Sequence, residues 1–341
     1  MGRVSRLCPL CRGIALASLF AVGVFATAME ARGVILYSTA DRNTTAPSAA
    51  DGLDAWNLEA TWGSFLATPI DATHFIGAKH LNAASDPGQF STITFRNVSY
   101  AVNLASAVPD PGSDLCIYSL QSGYSFPSYA PLYNAAVDGS EIGKTLTVIG
   151  RGTQRGTPVT VDSALKGWAW GGSDHVESWG QNIVSSFDRY NSVSATSLLC
   201  FDFNSDGIDN EAALSIGDSS GGVFIFSNGQ WKLAGINYAV SGPFSLTGTG
   251  TLNSLLPDGS PDPDYSAFNA SIYDAQGLYY WDDKWILDDV QEPGTSAASR
   301  ISDRLDWIES VVPEPGTLVL LSIFIAAIVP FSWFARRRKS A

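Results

Sequence analysis

Basic residues are scarce. The 341-residue chain has 20 Lys and Arg against 33 Asp and Glu, a formal charge of −13. Seven of the basic residues lie at the ends: Arg3, Arg6 and Arg12 near the start, and Arg336, Arg337, Arg338 and Lys339 near the finish. Without those seven, 13 basic residues face the 33 acidic ones, a balance of −20. Nothing basic remains to neutralise phosphates, which argues against a nucleic-acid partner. Cysteine is scarce too. Of the four, Cys8 and Cys11 fall in the basic N-terminal leader, leaving Cys116 and Cys200 for the body of the chain. Those two form either one disulfide or two small buried thiols, and the sequence leaves both open. Only three histidines occur, His74, His80 and His175. Their irregular spacing, with no cysteine nearby, argues against a zinc site, and no metal site is assigned to them.

Gly, Ser, Thr, Asn and aromatic residues are plentiful, which favours a β-rich, loop-rich protein over a helical one. The length allows one large core or two smaller ones. Residues 1–28 have the layout of a secretory signal: a basic start, an apolar run from Ile14 to Phe25, and the small residues Ala26-Thr27-Ala28. At the other end, Pro313-Glu314-Pro315 precedes an apolar run from Thr317 to Phe334 and the basic cluster. That run is long enough to span a membrane, with the basic end held in the cytoplasm. Residues 313–341 resemble a PEP-CTERM sorting signal of Gram-negative bacteria. The resemblance implies transient anchoring in the inner membrane through 317–334, recognition by an exosortase, and delivery to the cell surface or extracellular matrix.

The most informative internal stretch is Gly217-Asp218-Ser219-Ser220-Gly221-Gly222, followed by the apolar Val223–Phe226. A serine hydroxyl is a poor nucleophile and needs a tight turn beside a base, with backbone N–H groups aimed at the oxyanion that forms. Glycines let the backbone take that shape. The stretch resembles the nucleophile loop of trypsin/chymotrypsin-like serine proteases, with Ser220 and Gly222 standing where that family has glycine and proline. Aligned without a gap, Ser219 is the nucleophile, and the amides of Gly217 and Ser219 form the oxyanion hole. Thr73–Leu81 resembles the family segment that carries the general base, here His80, and Leu81 replaces its cysteine. His74 reads as structural and His175 as solvated. Ser113-Asp114-Leu115 leads into an apolar strand, as the family's orienting aspartate does, so Asp114 takes that role. The order His80, Asp114, Ser219 is the family's order.

Further pieces follow the same pattern. Leu146–Thr153 resembles the strand that opens the second barrel, and Asn228-Gly229 reads as a hairpin turn before a strand from Trp231. The resemblance places Ala213 in the specificity pocket and lays substrate backbone along Tyr238 to Val240. With no acid at 213, the implied pocket favours apolar or small side chains. Arg32-Gly33-Val34 faintly resembles an activation site whose new N-terminus would pair with Asp218, whereas the residues themselves read as a plain first strand. Ile301, Leu305, Ile308 and Val312 form one apolar helical stripe, predicting a helix over 299–312.

The resemblance thus predicts an all-β fold of two six-stranded antiparallel Greek-key barrels. The first covers about 33–130 and the second about 131–298, closed by the C-terminal helix and followed by a separate transmembrane helix. It predicts an exported serine endopeptidase acting on protein or peptide substrates through residues 29–312. Two alternatives remain: a protease-like binding protein that has lost activity, and a nucleophile shifted to Ser220. Asp202, Asn204 and Asp206, with Gly207, also look like the first half of an EF-hand calcium loop. Ala213 occupies its twelfth position, so an acidic surface loop and a calcium site both stay open. The Pro/Gly/Asp-rich span 242–292 receives no function.

Overall fold

The computed structural model describes residues 33–135, 137–188, 197–242, 244–245, 267–268, 270–281, 285–287 and 291–312. The leader, the tail from 313 with its apolar run, and much of 242–292 lie outside the described residues.

Two closed six-stranded antiparallel barrels make up the body. The first contains β1 (Ala60–Trp62), β2 (Phe65–Pro69), β3 (His74–Ala78), β4 (Thr92–Phe95), β5 (Val98–Pro109) and β6 (Leu115–Leu120). They close in the order β1-β2-β3-β6-β5-β4. The second contains β7 (Thr145–Gly150), β8 (Ser178–Asp188), β9 (Leu198–Asp202), β10 (Gly222–Ser227), β11 (Gln230–Val240) and β12 (Thr295–Arg300). Its order is β8-β9-β12-β11-β10-β7. Each chain of hairpins ends by returning to its first neighbour, which removes exposed strand edges.

The strands follow from composition. β6 reads Leu-Cys-Ile-Tyr-Ser-Leu and is buried along most of its length, as a strand with core on both faces should be. Trp62, Phe75, Phe95 and Tyr118 fill the first barrel, and Leu146, Val148, Phe201 and Val223 fill the second. A third cluster, with Leu66, Ile76, Ile117, Ile149, Phe224 and Ile308, joins the barrels and the C-terminal helix into one body. At Asn228-Gly229 both φ angles are positive, 54° and 80°, the geometry that a two-residue turn matching strand twist requires.

The C-terminal helix is shorter than predicted. Ser299 and Arg300 complete β12, a 3-10 turn spans Ser302–Arg304, and α1 runs only over Leu305–Val311. Strand pairing to β9 and β11 takes the first two positions that helical periodicity alone would assign to the helix. Ile35–Leu36 does form a short strand, paired with Ala212–Ala213. A separate sheet joins Thr153–Val161, Ala164–Ser173 and Ala270–Ile272 beside the second barrel. Cys116 lies in β6 and Cys200 in β9, one in each barrel, and both are free and buried. Burial pushes their thiols up, to about 11 and about 12. Among the described residues no helix is long and apolar enough to cross a membrane.

Candidate active site

Barrel closure brings three distant residues to one cleft. β3 ends at Ala78, and the 3-10 turn Lys79–Leu81 that follows carries His80 to its mouth. The turn stops at Asn82, which takes a left-handed conformation (φ 47°) that asparagine tolerates. Asp114 sits where the chain enters β6 and is 2% exposed. Its Oδ2 lies 2.5 Å from His80 Nδ1, and its Oδ1 accepts the His80 backbone N–H at 3.0 Å. One carboxylate thus fixes both the ring and the backbone of the histidine. On the other side of the ring, His80 Nε2 is 2.9 Å from Ser219 Oγ. The Tyr238 ring meets the imidazole edge-on at 6.0 Å.

The Ser219 loop is held from beneath by Asp218. That carboxylate accepts the N–H groups of Gly152 and Ser215, each at 2.7 Å, the Ser215 hydroxyl at 2.9 Å, and the Val34 N–H at 3.2 Å. Burial raises its pKa, and the hydrogen bonds from Gly152, Ser215 and Val34 oppose that rise. The residue whose amide reaches Asp218 is Val34, one position beyond the Arg32-Gly33 junction that the sequence suggested for a new N-terminus; Arg32 lies outside the described residues. Asn237, a buried polar residue within the apolar stretch Leu233–Val240 of β11, donates from Nδ2 to Asp218 O at 3.0 Å and Ile149 O at 2.8 Å. Sequence reasoning passed over Asn237, although an amide inside an apolar strand was a usable signal.

Gly217, two residues before Ser219, has φ 92°, a backbone conformation that glycine takes without a Cβ penalty. Among the described residues neither the Gly217 N–H nor the Ser219 N–H has an acceptor within the protein. Ser220 is not placed to act as a nucleophile. It is fully buried at φ 72°, and its Oγ accepts the Ala78 N–H at 3.0 Å. Gly77 makes room for it, since a Cβ there would lie 2.6 Å from Ser220 Oγ. His74 pairs with Asp71 at 2.9 Å on the far end of β3, and His175 is exposed.

A cavity of about 290 Å³ opens beside Ser219, lined by Leu214–Ser219 and Tyr238–Val240. Tyr238 and Val240, which the resemblance set along the substrate backbone, are among its lining residues. Ala213 does not line it: its backbone pairs with Ile35, and its side chain is buried in a cluster with Ile35, Trp168 and Phe203. Leu214, the next residue, turns towards the cavity instead. β10 begins at Gly222 opposite Ile236, and the last residues of β11 run on past that start along the cavity.

The Asp202–Glu211 loop closes on itself. Glu211 accepts the N–H groups of Asn204 and Ile208 at 3.0 and 3.3 Å, in the place where a cation would otherwise gather the loop. Asp202 Oδ1 accepts the Thr295 hydroxyl at 2.6 Å. Burial raises Glu211 to about 7. Among the described residues no group of three or more His, Cys, Asp or Glu could hold a metal ion.

No protein-family model matches this chain, and no curated protein matches it.

Proposed function

We propose that the protein is a serine endopeptidase of the trypsin/chymotrypsin-like kind. The line of contacts from Ser219 Oγ through His80 to the buried Asp114 carries the reading. Ser219 Oγ attacks the scissile carbonyl carbon while His80 Nε2 takes its proton. The oxyanion that forms sits against the Gly217 and Ser219 N–H groups. As the C–N bond breaks, His80 returns the proton to the leaving amine, and a water repeats the cycle on the acyl-enzyme. Asp114 holds the ring's tautomer and stabilises the imidazolium. The binding-protein alternative rested on Ser220 crowding the oxyanion loop. With Ser220 Oγ turned inward onto Ala78, that crowding has no support.

The cavity walls from Leu214, Ile216, Ala239 and Val240 carry no charge, and the Asp218 carboxylate is consumed by its own hydrogen bonds. The residue preceding the scissile bond is therefore apolar or small. The leader and the PEP-CTERM-like tail add export, processing by an exosortase and delivery to the cell surface or matrix.

Labelling with a fluorophosphonate probe, followed by peptide mapping, tests the reading. The label is expected on Ser219 and is lost in Ser219→Ala. Folded protein that takes no label refutes the hydrolase. Best cleavage after Arg or Lys in a fluorogenic peptide panel refutes the pocket assignment.

A further inference from the structure

The turn that presents Asp114 is tied down by charged groups to which the proposed chemistry assigns no role. Asp110, between β5 and β6, is 2% exposed. Its Oδ1 accepts the Gly112 N–H at 3.1 Å, and its Oδ2 accepts the Ser113 hydroxyl at 2.5 Å. That same Oδ2 lies 3.1 Å from Arg304 Nε, in the turn that leads into α1. Arg304 Nη2 donates to Gly112 O at 2.6 Å, and Nε also lies 3.5 Å from Asp303. A Cβ at position 112 would collide with the guanidinium, so the glycine there makes room for Arg304.

From the opposite side comes Lys79, the neighbour of His80. Its Nζ donates to Asp110 O at 2.7 Å and to Ser113 O, and its backbone N–H donates to Asp114 O at 2.6 Å. The turn is thus clamped between the histidine's own turn and the C-terminal segment. Both contacts of Asp114 with His80 depend on where that turn stands.

We infer that Arg304 and Asp110, with Lys79, are positioning residues for the proposed hydrolysis, which makes the C-terminal helix part of the machinery that holds Asp114 on His80. The inference rests on the reading under Proposed function. Removing the guanidinium leaves a carboxylate buried with its charge unbalanced, and the turn must shift or admit water to relieve it. A displacement of about 1 Å in a catalytic group can lower turnover about 100-fold. A residue that only stabilised the fold would change melting behaviour without changing turnover of the folded fraction.

The test uses Arg304→Ala and Asp110→Asn, with Arg304→Lys as a milder variant in case the first does not fold. For each, kcat and KM are measured well below the melting temperature, and the far-downfield proton resonance of the His80–Asp114 hydrogen bond is recorded. In Arg304→Ala and Asp110→Asn, kcat is expected to fall about 10- to 100-fold with KM within about twofold, and the downfield resonance to weaken. Ethylguanidinium added to Arg304→Ala is expected to restore several-fold of the lost kcat and to do nothing for Ser219→Ala. Arg304→Lys keeps the charge but loses the fork, so it is expected to fall between wild type and Arg304→Ala. Folded variants with wild-type kcat and an unchanged resonance overturn the inference, as does a lowered melting temperature alone. If wild-type protein is neither labelled nor active, the hydrolase reading fails; the resonance still decides whether Arg304 positions Asp114.

Discussion

Replacing Glu59 with glutamine should stabilise the protein at alkaline pH. Glu59 stands just before β1, 7% exposed, where the two barrels meet. Its Oε1 accepts the Thr68 hydroxyl at 2.7 Å, and among the described residues its Oε2 has no partner. Burial raises its pKa from 4.5 to about 8; the Thr68 hydrogen bond lowers it and the charge of Glu177 raises it further. Glu177, lining the same cavity of about 220 Å³, is itself raised by burial to about 7, with Arg151 opposing. In the unfolded chain Glu59 loses its proton near 4.5, while the folded protein holds that proton to about 8. The folded state therefore binds more protons throughout that window, and stability falls as pH rises from 4.5 to about 8, then levels. Each pKa unit corresponds to about 1.4 kcal/mol, so the full displacement costs on the order of 5 kcal/mol at pH 9. Glutamine keeps the acceptor for Thr68 and cannot ionise. Denaturant unfolding of wild type and Glu59→Gln from about pH 4 to 9 should give similar stabilities at the acid end. At the alkaline end the variant should lead by several kcal/mol. A variant no more stable than wild type at pH 9 refutes the reasoning.

Two further outcomes follow from the same contacts. Ser220→Ala removes the acceptor of the buried Ala78 N–H and should lower stability by about 1–3 kcal/mol in urea unfolding, while fluorophosphonate still labels Ser219; folded protein that loses the label would return Ser220 to the chemistry. Because Cys116 and Cys200 are free, dithiothreitol should leave the melting temperature unchanged, and a drop on reduction would mean that the thiols are bonded.

Local sequence was enough to specify much of this molecule. Apolar runs such as Leu115–Leu120 and Val223–Ile225 are strands because their side chains have core on both faces. Asn228-Gly229 is a hairpin turn because those residues tolerate positive φ. The Gly217–Gly222 loop, His80 and Asp114 stood out because those segments resemble, in residue type and in order, the nucleophile, base and orienting-aspartate segments of trypsin/chymotrypsin-like serine proteases. These signals act over a few residues, where backbone sterics and burial periodicity decide.

Contacts across the chain were legible only in the folded molecule. His80 meets Ser219 across 139 positions, and Arg304 meets Gly112 across 192. Which of Ser219 and Ser220 faces the imidazole depends on Gly77 leaving space behind the loop, and neither serine's own neighbours encode that. Ala213 was displaced from the cavity by its pairing with Ile35, a strand from the far end of the chain. Glu211 folds back onto the Asp202–Glu211 loop, where the sequence left an acidic surface loop and a calcium site both open. Propensity determines what each segment is, whereas barrel closure and register decide which segments touch. Chemistry needs side chains within about 3 Å of one another, a scale fixed by closure and not by spacing along the chain.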